Sequence, residues 1–278
     1  MLRGLTGAGL GKLESNEQFI ELAAKYGFEA VDIDALGLVE SYSIDGAREL
    51  LNKHGLVIGS IGLPVEWRGT EETFRADLPK LTQAAAAAAA LGCTNCCTYV
   101  LPSTDLGAAH FMALATRRLR TCAQILGAYG IRLGLEFVGP HHLRTRWKHP
   151  FIWTLDETLD WIDAIGESNV GLLFDAYHWY TNGLTVADIE KLRAEQIVHV
   201  HINDAPDVPV EEVLDNGRLY PGEGVIDLAG FLQGLQRIGY KGAVSQEILT
   251  ATPPTESPES LVQRSKAGFD KVYAAAGI

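Results

Sequence analysis

Four apolar stretches in the second half of the chain decide the fold, because each is short and carries an ionisable side chain at or near its end. Their sequences are LGLEFVGP at 133–140, GLLFDAYHWY at 171–180, IVHVHINDAP at 197–206 and AVSQEIL at 243–249. Longer segments with the apolar spacing of helices lie between them. This alternation of strand and helix is typical of parallel β-α-β units.

The same alternation extends back to the first residues and predicts eight strands, each followed by a helix. Eight such units in a chain of this length most simply close into a (β/α)8 TIM barrel, and an open doubly wound sheet is the alternative. We therefore predict a single-domain barrel over residues 1–278. The predicted strands are Leu2–Thr6, Ala30–Ile33, Val57–Ile61, Thr94–Val100, Arg132–Phe137, Val170–Phe174, Ile197–Ile202 and Ala243–Ile248. The predicted helices are Asn16–Tyr26, Ile44–His54, Glu71–Leu91, Ala108–Tyr129, Leu155–Ile165, Val186–Leu192, Leu228–Ile238 and Pro258–Ala275.

Composition excludes several classes of partner. Of the 278 residues 47% are hydrophobic and 21% charged, which is ordinary for a globular protein, and the charge sum of 23 − 35 is −12. This net charge disfavours nucleic acids and anionic membranes as partners. The longest apolar run, 84–91, is too short to span a bilayer, and the N-terminus has no apolar signal segment. Four cysteines without a disulfide framework favour a cytoplasmic protein.

The ionisable residues at the strand ends predict a metal site. In a parallel barrel the side chains at the carboxyl ends of the strands point into one common site. Glu136, Asp175, His201 and Glu247 stand at these ends in the last four predicted strands. A turn or helix-cap role is the alternative for any one of them, but three converging carboxylates repel one another unless a cation lies between them. We therefore expect one divalent metal ion, which could be Mn, Mg, Co, Fe or Zn.

The order of these residues resembles that of a known superfamily. Together with RLYPGEGVIDL at 218–228, the four stretches are similar to the xylose-isomerase-like superfamily of TIM barrels. Within it, the chain most resembles the group of tagatose and psicose 3-epimerases, inosose isomerases and inosose dehydratases. The resemblance covers almost the whole chain and is strongest between Ile131 and Leu249. It is specific for the superfamily and weak for the substrate.

This resemblance implies roles for individual residues. It implies that Glu136, Asp175, His201 and Glu247 bind one divalent metal. It also implies that Glu136 and Glu247 act as an acid/base pair on opposite faces of the substrate. Similar proteins are commonly dimers or tetramers, so a homo-oligomer is one open arrangement.

Further residues are candidates for substrate binding. The resemblance places His178 in contact with the substrate and Arg218 on a substrate oxygen. His142 stands six residues after the fifth-strand glutamate, where some ketose epimerases carry a second glutamate, and this difference argues against a simple 3-epimerase. Trp67 and Trp179 follow predicted strands and could stack on a sugar ring, with core packing as the alternative.

Three residues in or near the seventh predicted strand have more than one interpretation. His199 and His201 are two positions apart and point to the same face of their strand. We favour His201 as the metal ligand, because it lies nearer the carboxyl end, and place His199 in a lower layer of the barrel. Asp204 either hydrogen-bonds a metal-bound histidine or forms a turn.

Two other motifs are less specific. The Cys93-x-x-Cys96 pair resembles half of a zinc knuckle without its second half, so buried inert thiols are the favoured interpretation. The basic loop HHLRTRWKHP at 141–150 is either a solvated loop, a subunit contact, or a clamp for a phosphate or carboxylate.

The sequence favours a metal-dependent isomerase or epimerase of a keto sugar or keto cyclitol such as an inosose, a small carbohydrate. The chemistry expected is a metal-stabilised enediolate with two glutamates exchanging the proton. The alternative is a dehydratase or lyase that performs β-elimination on a keto sugar, an inosose or a 3-keto-glycoside at the same site. A phosphodiesterase of the endonuclease IV type is disfavoured, because the third and fourth strand ends carry none of the extra histidines that three zinc ions need.

Overall fold

The structure is a computed structural model that describes residues 1–278, and its parallel strands form a nearly closed barrel. Around the barrel the strands follow the order β3-β2-β1-β11-β10-β9-β7-β5-β4, while β6 and β8 form a separate antiparallel ribbon. The strands are β1 Leu2–Leu5, β2 Ala30–Val31, β3 Val57–Ile58, β4 Ile61–Gly62, β5 Asn95–Val100, β6 Ser103–Thr104, β7 Arg132–Phe137, β8 His149–Pro150, β9 Val170–Asp175, β10 Ile197–Ile202 and β11 Ala243–Gln246.

The barrel closes through the third predicted strand, which the structure divides into β3 and β4. Val57 and Ile58 pair with β2, whereas Ile61 and Gly62 pair with β5. The two ends of the sheet are therefore consecutive pieces of one strand, and β1 pairs with both β2 and β11. The TIM barrel is confirmed, and the open doubly wound sheet is wrong.

Helices surround the barrel, and most agree with the predicted ones to within a few residues. They are α1 Asn16–Lys25, α2 Ala35–His54, α3 Glu71–Ala90, α4 Ala108–Gly127, α5 His141–Arg144, α6 Leu155–Ile165, α7 Ala176–Thr181, α8 Val186–Glu190, α9 Leu228–Arg237 and α10 Pro258–Ala276. None of them has both the length and the apolar character needed to cross a membrane.

The second helix differs most from its prediction. It begins at Ala35 rather than Ile44, because the Asp34 side chain accepts the Leu36 N–H and caps an additional segment. A kink at Ser43, where φ is +60°, separates that segment from the predicted part. The short helices α5 and α7 were not predicted, since neither is long enough to show a helical period of apolar residues.

Trp67 and Trp179 belong to the hydrophobic core. Trp67 has no exposed surface, stacks on Phe111 with 5.9 Å between ring centroids, and donates its indole N–H to Thr98 Oγ1 at 3.0 Å. Trp179 is likewise buried and donates to the Thr185 carbonyl. The expectation that either ring stacks on a sugar is wrong, because the barrel and its helices cover both.

The cysteines are buried thiols, as the favoured interpretation stated. All four are buried and unpaired. Burial raises the pKa of Cys93 to about 11 and that of Cys122 to about 12, so neither forms a thiolate readily. The Cys93 thiol donates to the Asn95 carbonyl, and no cysteine belongs to a group of side chains that could hold a metal. The zinc knuckle is therefore excluded.

Candidate metal centre

The four residues predicted as metal ligands meet at the mouth of the barrel. Glu136 lies in β7, Asp175 ends β9, His201 lies in β10, and Glu247 directly follows β11, so neighbouring strands supply all four. One nitrogen or oxygen atom from each lies within 4.8 Å of the others. The His201 Nδ1 atom is 3.5 Å from Glu247 Oε2, 3.6 Å from Glu136 Oε1 and 3.9 Å from Asp175 Oδ2.

This arrangement fits a divalent metal. Glu136 Oε1 and His201 Nδ1 are buried and have no hydrogen-bond partner, although buried polar atoms ordinarily have one. An ion bound about 2.0–2.2 Å from each ligand atom would hold opposite ligands about 4.4 Å apart. The four candidate ligand atoms lie within 4.8 Å of one another, so an ion could reach all of them after small shifts. Three carboxylates and one imidazole suit Mn, Mg, Co, Fe or Zn and select none of them.

Asp32, at the end of β2, orients the histidine of this group, and the sequence analysis missed it. Its Oδ2 atom is 2.7 Å from His199 Nε2 and 3.3 Å from His201 Nε2, and its Oδ1 accepts from Ser245 Oγ at 3.1 Å. A proton on His201 Nε2 leaves the Nδ1 lone pair facing the other ligands. Asp32 is the ionisable residue of the otherwise apolar predicted strand Ala30–Ile33, as the candidate ligands are near the ends of theirs, and this signal could have identified it.

A glycine in the broken third strand makes room for Asp32. A Cβ atom at Gly59 would lie 2.5 Å from Asp32 Oδ1 and 3.2 Å from the His199 ring. Burial would raise the pKa of Asp32, but the two imidazoles hold it well below its ordinary value. The aspartate is therefore a charged acceptor at the floor of the site.

Arg218 lies inside the site and neutralises part of its charge. Its Nη1 donates to Asp175 Oδ2 at 2.9 Å and to Glu247 Oε2 at 2.8 Å, while Nε and Nη2 donate to Asp215. The side chain is 1% exposed, so protein acceptors engage it on every side. The contact of Arg218 with a substrate oxygen stays a prediction, and it would require one of these bonds to be exchanged.

The carboxyl groups of the site differ in their electrostatic environment. Burial raises the pKa of Glu136 above its ordinary value. Burial has the same tendency at Glu247, but His201 and Arg218 outweigh it and hold the pKa of that carboxyl well below its usual range. Arg218 likewise lowers the pKa of the fully buried Asp175. The pKa values of Glu136 and Glu247 are thus shifted in opposite directions.

Two histidines, His178 and His142, are predicted to bind substrate, and only His178 lies beside the four candidate metal ligands. His178, in α7, accepts the Gly139 N–H at Nδ1, which leaves Nε2 at 3.9 Å from Glu136 Oε1. His142 lies in α5 and makes no hydrogen bond to the four ligands, and its Nδ1 is buried without a partner. Substrate contacts of both histidines stay predictions.

Asp204 holds a loop and does not contact a histidine. Its carboxylate accepts the backbone N–H groups of Ala205, Gly222, Gly224 and Ile226 at 2.9–3.0 Å. The suggestion that it hydrogen-bonds a metal-bound histidine is wrong, because the chain turns after β10 and brings these amides closer. By ordering 222–226, Asp204 holds the loop that begins with Arg218.

The basic loop at 141–150 is partly structural. Arg144 donates to the carbonyls of Gly139 and Thr181, and its guanidinium lies 3.6 Å from the centroid of the Trp153 ring. These contacts are all within the chain, so Arg144 does not act as an anion clamp in this structure.

The aromatic residue that does face the mouth is Tyr99, which the sequence analysis missed. It pairs in register with Glu136 on the adjacent strand, and 45% of its surface is exposed. Together with Asp32, Ser60 and His201 it lines a cleft of about 290 Å³ that the candidate ligands Glu136 and Glu247 also line. The alternation of residues along β5 does not by itself reveal that the Tyr99 side chain is exposed at the mouth.

Comparison with known proteins supports the fold and the family pattern. Residues 20–268 match the family described as Xylose isomerase-like TIM barrel. An inosose isomerase from Bacillus velezensis is 30% identical over 158 residues, which are 56% of this chain and 53% of that protein, so the chain matches about half of its length. A xylose isomerase domain protein from Alicyclobacillus acidocaldarius has a TM-score of 0.92 at 34% identity, with 100% of both chains covered. The IOLI protein with a binding zinc atom has a TM-score of 0.80 at 20% identity, with 99% and 98% covered.

Replacing Asp32 by asparagine should weaken metal binding. The neutral amide leaves His201 without a charged acceptor to set its tautomer and orientation, and loss of such a partner typically costs about 10- to 100-fold in metal affinity. Competition with a fluorescent chelator for Mn²⁺ measures this affinity. Asp34→Asn is the matched control, because Asp34 lines the same cleft but bonds only a backbone N–H. Equal affinities in the two variants would contradict the role of Asp32.

Replacing Asp204 by asparagine should destabilise the protein. The amide side chain cannot accept all four backbone N–H groups, and loss of charged acceptor strength in a buried site should lower the free energy of unfolding by about 2 kcal/mol. Urea denaturation measures this change. Asp207→Asn, at an exposed site without side-chain bonds, should stay within about 0.5 kcal/mol of the parent. A similar small change for Asp204→Asn would show that its four contacts do not hold the loop.

Proposed function

Because the chain belongs to the xylose isomerase-like TIM barrel family, we propose that it is a divalent-metal-dependent isomerase or epimerase of a keto sugar or keto cyclitol. The observation that carries the proposal is the convergence of three carboxylates on an unpartnered imidazole nitrogen at the barrel mouth. The name of the related inosose isomerase supports the cyclitol class. The zinc atom of the IOLI protein supports a divalent metal.

Glu136, Asp175, His201 and Glu247 would hold the ion. When bound there, a divalent metal supplies Lewis acidity that polarises the substrate carbonyl and its neighbouring hydroxyl. Arg218 and Asp32 support this group without belonging to it. Arg218 bridges the Asp175 and Glu247 carboxylates through one nitrogen, and Asp32 turns the His201 lone pair inward. The protein thus positions the ligands before an ion binds.

The two glutamates supply the proton transfers of this proposal. One carboxylate removes the proton from the carbon next to the carbonyl, which leaves an enediolate, and the other carboxyl returns a proton. Glu136 and Glu247 extend from strands that are not adjacent, and His201 Nδ1 lies 3.5–3.6 Å from each. A substrate seated above His201 would therefore have one carboxyl on each side. Proton transfer by a positioned side chain contributes about 10²–10⁴-fold to rate.

A three-zinc phosphodiesterase gains no support. The side chains that could hold an ion form two groups that share His201, and His199 is the only further histidine in them. Elimination of water or of a glycosyl group from the same enediolate uses the same residues, and the products formed from a given substrate would separate it from isomerisation.

Metal content should depend on the predicted ligands. We expect Glu247→Gln and His201→Ala proteins to retain much less Mn²⁺ after dialysis than the parent, because each loses a ligand, and to lose the metal-dependent rise in melting temperature. Elemental analysis and thermal melts with and without Mn²⁺ measure both effects. Glu72→Gln, at an exposed glutamate of α3 outside the group, should behave as the parent does. Unaltered metal content in both ligand variants would rule out the site.

Turnover should exchange a substrate hydrogen with solvent. If the two glutamates act through an enediolate, product formed in D₂O carries deuterium at the carbon next to the carbonyl. Glu136→Gln and Glu247→Gln should each lose at least about 10²–10⁴-fold in rate. Inososes and ketohexoses with Mn²⁺ are the substrates to screen, with NMR detection. Product without deuterium would indicate hydride transfer between adjacent carbons, and deuterium together with loss of water or an aglycone would indicate a lyase.

A further inference from the structure

A second cleft adjoins the mouth of the barrel, and Tyr99 lies between the two. Tyr99 is a lining residue of both the cleft of about 290 Å³ at the candidate metal ligands and a neighbouring cleft of about 440 Å³. Because Tyr99 pairs in register with Glu136, the boundary of the second cleft lies next to the proposed reaction centre. A ligand in the mouth could therefore extend past Tyr99 without leaving the protein surface.

The Tyr99 ring is held in place by a neighbouring arginine. The Arg68 guanidinium lies 4.2 Å from the ring centroid, and its Nη1 donates to the Tyr99 carbonyl at 2.9 Å. Its Nε donates to Glu66 Oε1 at 3.1 Å, which fixes the guanidinium in turn. Cation–π and hydrogen-bond contacts thus orient an exposed aromatic surface before any ligand arrives.

Trp147 also lines this second cleft, and its backbone is anchored. Its backbone N–H donates to Ser103 Oγ at 3.3 Å, and the same hydroxyl donates to the Leu143 carbonyl at 2.6 Å. Next to it, β6 and β8 pair through Ser103 with Pro150 and Thr104 with His149. These contacts fix the loop at 141–150 to the segment after β5, so the backbone at Trp147 has a defined position beside the cleft.

The lining of the second cleft suits a neutral sugar ring. Tyr99 and Trp147 both line the cleft, and Arg68 and Arg146 each lie over one of these rings, which leaves the opposite ring face for the C–H face of a sugar. Asp105 lines the same cleft, and its carboxylate makes no ion pair within the chain, so it remains free to accept a hydroxyl hydrogen bond. The charged residues lining it are Glu66, Asp105 and Arg68, a sum of one negative charge, which disfavours a phosphate.

We propose that the second cleft binds a second ring of the substrate, so that the substrate class is a keto sugar that carries a glycosidic substituent. The first ring occupies the mouth, and the substituent passes Tyr99 and lies against Trp147. This inference rests on the proposed function for the ring at the metal centre. It differs from that function in assigning Tyr99, Asp105 and Trp147 to a sugar site outside the barrel.

Binding of unreactive sugars tests this site without turnover. With Mn²⁺ present, isothermal titration should show that cellobiose or maltose binds at least roughly tenfold more tightly than D-glucose, which corresponds to about 1.4 kcal/mol. Trp147→Ala should abolish that advantage and leave glucose binding unchanged, while Trp147→Phe should preserve most of it. Tyr129→Ala, at an exposed tyrosine after α4, is the control and should change neither affinity.

Three results would overturn the proposal. The first is that neither disaccharide binds more tightly than glucose. The second is an advantage that Trp147→Ala leaves intact. The third is a parent dimer that Trp147→Ala converts to a monomer in light scattering, because a second copy of the chain would then occupy the cleft. The measurement requires no reaction, so its failure leaves the metal-content and deuterium experiments to decide the proposed function separately.

Discussion

Three carboxylates from neighbouring strands share the mouth of this barrel, and their mutual repulsion is the constraint that the surrounding structure must satisfy. Arg218 answers it directly, because its guanidinium donates to both Asp175 and Glu247 from a position with almost no exposed surface. Removing one partner from such a buried arrangement leaves an uncompensated charge, which is far more costly than the loss of an exposed pair. Glu136 has no such donor at Oε1, which leaves that oxygen available for a cation.

These side chains are held in place by residues that are not candidate ligands themselves. Asp32 directly follows β2, yet it sets the orientation of His201 in β10. The absence of a side chain at Gly59 provides the space that Asp32 occupies. Asp204 collects four backbone amides and so fixes the loop that presents Arg218. The ligands lie in the second half of the barrel, but their positions depend on the closed ring of strands.

The outer part of the site is built from loops, as is common in barrels whose chemistry resides at the strand ends. Tyr99 is the link between the two parts, because its backbone lies in register with Glu136 while its ring reaches the surface. The segment with Trp147 is tied down by Ser103 and by a short antiparallel ribbon.

The sequence by itself determined the barrel and its four candidate ligands, because strand and helix periodicity are local properties and parallel strand ends converge whatever the details of packing. Tertiary structure alone decided which side chains meet across distant parts of the chain. Asp32 hydrogen-bonds His199 and His201, which follow it in the sequence by 167 and 169 residues, and no local pattern reveals such contacts. Burial was decided in the same way: Trp67 and Tyr99 are both aromatic residues near strand ends, but helices cover the first and the barrel mouth exposes the second. Which face of a strand or loop is covered depends on the path of the rest of the chain, and that path exists only once the barrel has closed.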